Sequence, residues 1–273
     1  MEIGIYSPPA AGHANPWLIE ERGRFMAVDV GTRRDAQLLV RYMKEELMVE
    51  PNRLTFITST HFHYDHIGGI EELLRLCPGS RVHFGKLVRD YIEGDKVLAV
   101  PSLRRWIRGL VPIVFGMPRK VKGTWYGMLS PHRGIPLPLM RRHNRISYDV
   151  DCDLIEGESP GDFTHWRVVE TPGHTPDSLC FYCEKEGVLI AGDTILNMRG
   201  GGELNYFCTH PEGILSSYER LLSLSVSSLY PGHGAPILGV NKVLENVSLR
   251  GFETWAASDK KNPPSAYRPL LCL

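Results

Sequence analysis

The sequence predicts an α/β fold, and three observations predict it. Short apolar runs rich in β-branched residues alternate with longer stretches whose apolar residues recur at helical spacing. Polar loops carrying histidine, aspartate and glycine follow the carboxyl ends of those runs. At 273 residues and 42 % apolar composition, the chain has enough apolar surface for one large domain or two small ones, and too much for a disordered chain or a disulfide miniprotein.

Strands are predicted near Glu2–Ser7, Pro16–Glu20 and Arg24–Val30, with Gly23 turning between the last two. From Thr32 to Leu47, Ala36, Leu39, Val40, Met43 and Leu47 share one helical face, and Thr32 with Asp35 forms a capping box. Leu54–Thr58 reads as a short buried strand, followed by a polar loop and a helix Ile67–Leu76. A strand, a helix and a further strand with a ligand-rich loop at its carboxyl end give the α/β layout. The second half repeats the theme. Strands are expected near Trp166–Glu170, Ser178–Cys183, Val188–Ala191 and Ser227–Tyr230, with a helix from Pro211 to Leu222 and a closing helix Leu238–Trp255. Pro211 suits the first helical position after Thr209 or His210.

Lys plus Arg equals Asp plus Glu at 31 each, which on average argues against a polyanion-coating protein. The average conceals an asymmetry. Between Lys96 and Tyr148 there are eleven basic residues and no acidic one, so the rest of the chain holds 20 basic against 31 acidic. We read 1–273 as one domain and 95–148, rich in Pro, Gly, Arg and Trp, as a basic insertion forming a lid or arm. A solvated basic face paired with the acidic body and a surface that attracts anionic substrate are both consistent with it. Six cysteines in a chain of this size make no disulfide framework, and a reducing, cytoplasmic compartment is expected. No signal peptide and no run of roughly 18–20 apolar residues are found. Cys180 and Cys183 form a CxxC, but residues three apart in a strand face opposite ways, which argues against a zinc site there.

The strongest motif is Thr60-His61-Phe62-His63-Tyr64-Asp65-His66, an HxHxDH that directly follows a predicted strand. A chance match in a chain with this many histidines is on the order of one in a thousand. Extended backbone puts His61 and His63 on one side, and neutral imidazoles with carboxylates suit zinc, manganese or iron better than calcium or magnesium. Further donors stand on Gly/Pro-rich turns after other strands: His174 in Thr171-Pro172-Gly173-His174-Thr175-Pro176, Asp193 in Ala191-Gly192-Asp193-Thr194, and His233 in Tyr230-Pro231-Gly232-His233-Gly234.

With Asp29 in Val28-Asp29-Val30-Gly31, these motifs stand in the order seen in the metallo-β-lactamase superfamily of hydrolases, which the chain resembles over nearly its whole length. The resemblance implies a four-layer αββα sandwich with a dinuclear metal site at one edge. It implies that His61, His63 and His174 hold one divalent ion, Asp65, His66 and His233 the second, and that Asp193 bridges. Asp29 would orient the ligand loops by hydrogen bonds. The ions are expected to be Zn2+, with Fe or Mn as alternatives, and to supply a hydroxide nucleophile at neutral pH. Asp65 is the candidate catalytic residue, carrying a proton to the leaving group. The basic insertion matches no family pattern.

Three functions are weighed. Hydrolysis of a thioester or lactone fits the TPGHTPDS and GDT turns, although only about 40 residues follow His233, too few for the extra glutathione-binding domain of glyoxalase II-like enzymes. Phosphodiester hydrolysis on nucleic acid or phospholipid fits the basic insertion and would weaken steeply with salt. A persulfide dioxygenase-like enzyme would bind a single iron. The expected partner is a small-molecule substrate, anionic or acyl-containing. Nucleic acid is less favoured, and peripheral membrane contact through Leu103–Val111 stays open.

Overall fold

A computed structural model describes residues 3–8, 14–98, 146–198 and 200–249. Nearly all of the basic insertion, His13, His132, His143 and Cys272 lie outside these residues. Strands β1 (Gly4–Tyr6), β2 (Trp17–Glu21) and β3 (Arg24–Val28) form an antiparallel meander. From β3 the sheet continues in parallel through β4 (Leu54–Thr58), β5 (Arg81–Gly85) and β6 (Asp151–Leu154). The second sheet has the order β12-β9-β8-β7, built from β7 (Trp166–Glu170), β8 (Leu179–Cys183), β9 (Val188–Gly192) and β12 (Ser228–Pro231). Between its members, β10 (Ile195–Leu196) and β11 (Glu203–Leu204) make a small antiparallel pair.

Side-chain alternation divides the apolar residues among three cores. In β3, Phe25 and Ala27 face the helices while Met26 and Val28 face the other sheet. In β8, Leu179, Phe181 and Cys183 face the inter-sheet core, while Cys180 and Tyr182 face away from it. The two cysteines of the CxxC thus lie in different cores. Strand β4 breaks the period, since Leu54 and Phe56 enter different cores. A register shift lets Leu54 pair with Phe25 and Phe56 with Met26, so Thr55 is the extra residue of a bulge.

Helices α1 (Arg33–Glu45), α2 (Tyr64–Ile67), α3 (Ile70–Leu76) and α4 (Leu87–Glu93) accompany the first sheet, and α5 (Pro211–Leu221) the second. Burial of Ile214, Tyr218 and Leu221 with Cys180, Leu189 and Leu229 seats α5 on the outer face. The order of layers is therefore helix, sheet, sheet, helix. At the start of α1, the Thr32 hydroxyl accepts from the Asp35 N–H at 3.1 Å and donates to the Asp35 carboxylate at 2.6 Å. Pro211 opens α5 with His210 before it, but the His210 side chain makes no cap hydrogen bond.

Two expectations are corrected. The stretch predicted as a helix Ile67–Leu76 begins earlier and is interrupted at Gly68-Gly69, where a Cβ on Gly69 would lie 2.3 Å from the Thr32 carbonyl oxygen. Of the closing helix, the described residues contain only a 3-10 turn, Val243–Asn246. Lys242 and Gly239 adopt left-handed backbone there, and Val240 and Val243 donate to the carbonyls of Ser227 and Val226 instead of building a helix. No helix among the described residues is long and apolar enough to cross a membrane.

Helices α1 and α3 are joined by polar contacts: the Glu72 carboxylate accepts from Arg75 and Gln37 and pairs with Arg33. These hydrogen bonds, with the added charge of Arg33, hold the carboxyl at about 2. Because the folded value lies below the unfolded one, this stabilisation is present above about pH 4.5 and is lost as pH falls toward 2. Glu72→Gln is therefore expected to flatten the acid limb of a thermal-stability profile below about pH 4.5, and an unchanged limb would contradict it.

Candidate metal centre

Parallel alignment of β3 with β4, and of β9 with β12, points their carboxyl ends to the same edge of each sheet. β7 runs antiparallel to β8 and β8 to β9, so β7 shares the direction of β9. Every singled-out residue follows one of these ends: Asp29 after β3, His61 to His66 after β4, His174 after β7, Asp193 after β9 and His233 after β12. The two edges are stitched together where the Leu179 N–H donates to the Thr60 carbonyl at 2.7 Å.

After β4 the Ser59 hydroxyl donates to the His61 carbonyl at 2.9 Å, and the Phe62 N–H donates to the Asp177 carboxylate at 2.8 Å. The curled loop brings His61 Nε2 to 3.0 Å from His63 Nδ1, and His174 Nε2 comes within 3.2 Å of the same atom. In a second cluster, His233 Nε2 lies 3.6 Å from Asp65 Oδ2, and His66 Nε2 lies 3.9 Å from it. Asp193 stands between the clusters with one oxygen toward each. Its Oδ2 is 3.5 Å from His174 Nε2, while its Oδ1 is 3.5 Å from His66 Nε2 and 3.4 Å from His233 Nε2. The structure thus gathers all seven predicted residues at one edge, in three groups whose ligand atoms lie within 4.8 Å of one another.

The rear nitrogens are held by oxygens. The Thr60 hydroxyl, 2.9 Å from Asp29 Oδ2, spends its one proton on that carboxylate and so accepts from His61 Nδ1 at 3.2 Å. Phe207 offers only its carbonyl to His174 Nδ1, at 2.5 Å. His66 Nδ1 lies 3.1 Å from Asp29 Oδ2. In each case a proton on the rear nitrogen leaves the Nε2 lone pair facing the centre. Asp29 also accepts the Thr60 N–H at 2.7 Å, and it does this from a left-handed backbone (φ 61°) that aspartate tolerates better than most residues.

Close packing demands glycine at two turns. At Gly232 a Cβ would sit 2.3 Å from Asp193 Oδ1, and at Gly192, where φ is 49°, it would sit 2.4 Å from Thr60 Oγ1. Asn15 secures the His233 turn by donating from its side chain to the carbonyls of Pro231 and Gly234, at 3.0 and 2.7 Å.

Electrostatically the clusters differ. Burial and the neighbouring imidazoles hold His61 well below its ordinary pKa, and burial outweighs Asp193 to bring His174 to about 4. At His66 burial also opposes charge, but Asp29, Asp193 and Asp65 prevail and raise it to about 10. His233 is likewise raised, against burial, by Asp193 and Asp65. Burial disfavours the Asp193 charge, yet His233, His66 and His174 hold its carboxyl well below the usual range.

The donor set fits divalent metal. His66 Nε2 and Asp193 Oδ1 are buried with no hydrogen-bond partner, and leaving such atoms unsatisfied costs about 1–3 kcal/mol each. Neutral imidazole nitrogens converging to about 3 Å cannot all hydrogen-bond with one another, whereas a cation accepts every lone pair. Imidazole and carboxylate donors suit zinc, iron or manganese. By contrast, the five described cysteines are buried, and burial pushes the thiols of Cys77 and Cys180 up to about 11, so none of these two is a ready nucleophile.

Sequence reasoning did not find Asp177 or Asn205. Asp177 belongs to the His174 turn, and its position in that motif was an available signal. Asn205 sits in no motif, and its contacts are visible only in three dimensions.

An αββα sandwich with such clusters at its strand ends defines the class of metal-dependent hydrolases. The chain belongs to the metallo-beta-lactamase superfamily, whose family profile matches residues 10–233. It is 27% identical over 245 residues to the probable metallo-hydrolase YflN of Bacillus subtilis, covering 84% of this chain and 83% of that protein. It is 37% identical over 185 residues to an atrochrysone carboxyl ACP thioesterase of Aspergillus fumigatus, covering 68% of this chain and 40% of the thioesterase. Among solved structures, a HARLDQ-motif mutant of a metallo-beta-lactamase from Cronobacter sakazakii aligns with a TM-score of 0.59 and 17% identity, over 95% of this chain and 96% of that one.

Proposed function

We propose that the chain is a dinuclear metal hydrolase, with zinc as its metal, acting on an activated acyl bond, a thioester or a lactone. The observation that carries this reading is the division of Asp193, one carboxylate oxygen toward each cluster. In this reading His61, His63 and His174 hold one ion, Asp65, His66 and His233 hold the other, and Asp193 belongs to both. Bound there, the two ions supply a hydroxide at neutral pH and polarise the scissile carbonyl. The similarity to a thioesterase supports the choice of acyl bond.

The protein's own groups do the rest. Thr60, the Phe207 carbonyl and Asp29 keep protons on the rear nitrogens of His61, His174 and His66, so these rings present lone pairs without rearrangement. Burial of the imidazoles excludes water from the sides of the site. Asp65 stands at the more open end, beside His233, and carries a proton to the leaving group. On that assignment Asp65→Ala lowers kcat by about 100-fold or more while the His61, His63 and His174 cluster keeps its metal. Parallel losses of activity and of metal at that cluster would sink the role.

Turnover of a thioester, a lactone, a β-lactam and a bis-aryl phosphodiester by the zinc-loaded chain tests the substrate class. Hydrolysis of the thioester or lactone is expected. Robust phosphodiester cleavage with no acyl substrate turned over would overturn it.

A further inference from the structure

We propose that Asn205 is a positioning residue that sets His174 and Asp193 together, by fixing which ring nitrogen of His174 carries the proton. The inference rests on the reading of both residues as metal ligands, and it concerns a side chain that touches neither metal nor substrate.

Asn205 is 2 % exposed and stands just past β11, where its N–H donates to the Thr194 carbonyl at 3.1 Å. Its side chain joins two turns that are far apart in sequence. Nδ2 donates to the Asp193 carbonyl at 2.8 Å, and Oδ1 accepts from the Phe207 N–H at 2.9 Å. These two bonds leave no freedom to exchange the amide's ends, since a carbonyl needs a donor and an N–H an acceptor. Nδ2 is thereby placed 3.1 Å from His174 Nδ1, which also faces the Phe207 carbonyl at 2.5 Å.

His174 Nδ1 accordingly has two possible partners of opposite kind. Protonated, it donates to Phe207 O and leaves Nε2 with its lone pair toward His63 and Asp193. Unprotonated, it accepts from Asn205 Nδ2, and the proton moves to Nε2, which then cannot bind a metal. The shorter contact selects the first arrangement, and Asn205 maintains it by anchoring the Phe207 peptide from the N–H side. The same amide fixes the Asp193 peptide, so one side chain sets the spacing of a ligand on each turn. Burial keeps His174 neutral at pH 7, which makes the tautomer, and not the charge, the variable that matters.

Two measurements on the full chain test this. Long-range 1H–15N NMR on the metal-free protein reads the tautomer of His174, and titration with Co2+ followed by visible absorption reads metal affinity. Wild type is expected to carry the proton on Nδ1. Asn205→Ala should show a mixed or Nε2-protonated ring and bind Co2+ about 10–100-fold more weakly, the range typical for an outer hydrogen-bond partner. Asn205→Asp retains the acceptor for Phe207 N–H and loses the donor to Asp193, so it should restore the Nδ1 tautomer but not full affinity. If Asn205→Ala lowers only the melting temperature, with tautomer and Co2+ affinity unchanged within about twofold, the proposal is overturned. If Asn205→Ala does not fold, an Asn205→Asp chain with the proton on Nε2 overturns it equally. A wild-type chain that takes up no Co2+ would refute the metal reading instead, while the NMR comparison would still decide the role of Asn205.

Discussion

Asp193→Ala is expected to lower kcat/KM for the best acyl substrate by at least about 1000-fold, a loss of about 4 kcal/mol in transition-state stabilisation. The size follows from geometry. No other side chain faces both clusters, and its two oxygens are divided between His174 on one side and His66 and His233 on the other. Its carboxylate also balances three imidazoles in a buried site. Removing it is expected to lower metal content as well as the rate, because the remaining donors no longer share a common anion. Asp193→Asn keeps the volume but gives up one acceptor oxygen, so it should recover stability more than activity. Steady-state kinetics together with metal analysis check the prediction, and a loss below about tenfold would show that Asp193 does not join two ions.

The largest effect on stability is expected at Asp29. Its carboxylate is fully buried, accepts from the Thr60 N–H and hydroxyl, and lies against His66 Nδ1. Asp29→Ala removes these contacts and leaves their partners buried without an acceptor, at a cost of about 3–5 kcal/mol. Alanine also fits the left-handed backbone at this position less well than aspartate does. Asp29→Asn retains an acceptor for the Thr60 N–H, so the loss should be smaller by about half. Urea unfolding of metal-free protein measures both, and a change under about 1 kcal/mol for Asp29→Ala would show that these bonds do not hold the loop.

Much of the candidate site is legible in the chain because its donors cluster in short motifs on turns. Three histidines within six residues leave few structural alternatives, and Gly and Pro around His174, Asp193 and His233 mark tight turns. The division of labour between Asp193's two oxygens is a tertiary property that no spacing reveals. Asn205 is less visible still, since its partners Asp193 and Phe207 meet only after β10 and β11 pair. Most strands are readable as apolar runs, but β5 carries Arg81 and His83 and β6 carries Asp151 and Asp153, which hides them among polar residues. There the pairs Arg81 with Asp151 and His83 with Asp153 satisfy the charges across the strands. The expected helix from Leu238 misleads for the opposite reason. Its apolar residues include Val243, Leu244 and Val247, which reach the core of α5 from a turn and extended backbone.

Metal content decides most directly whether this is a two-ion hydrolase. After zinc loading and exhaustive dialysis, elemental analysis of the wild-type chain is predicted to give two zinc ions per chain, with hydrolysis of a thioester or lactone lost on chelation and restored by zinc. A single bound ion at full activity, iron included, would contradict it.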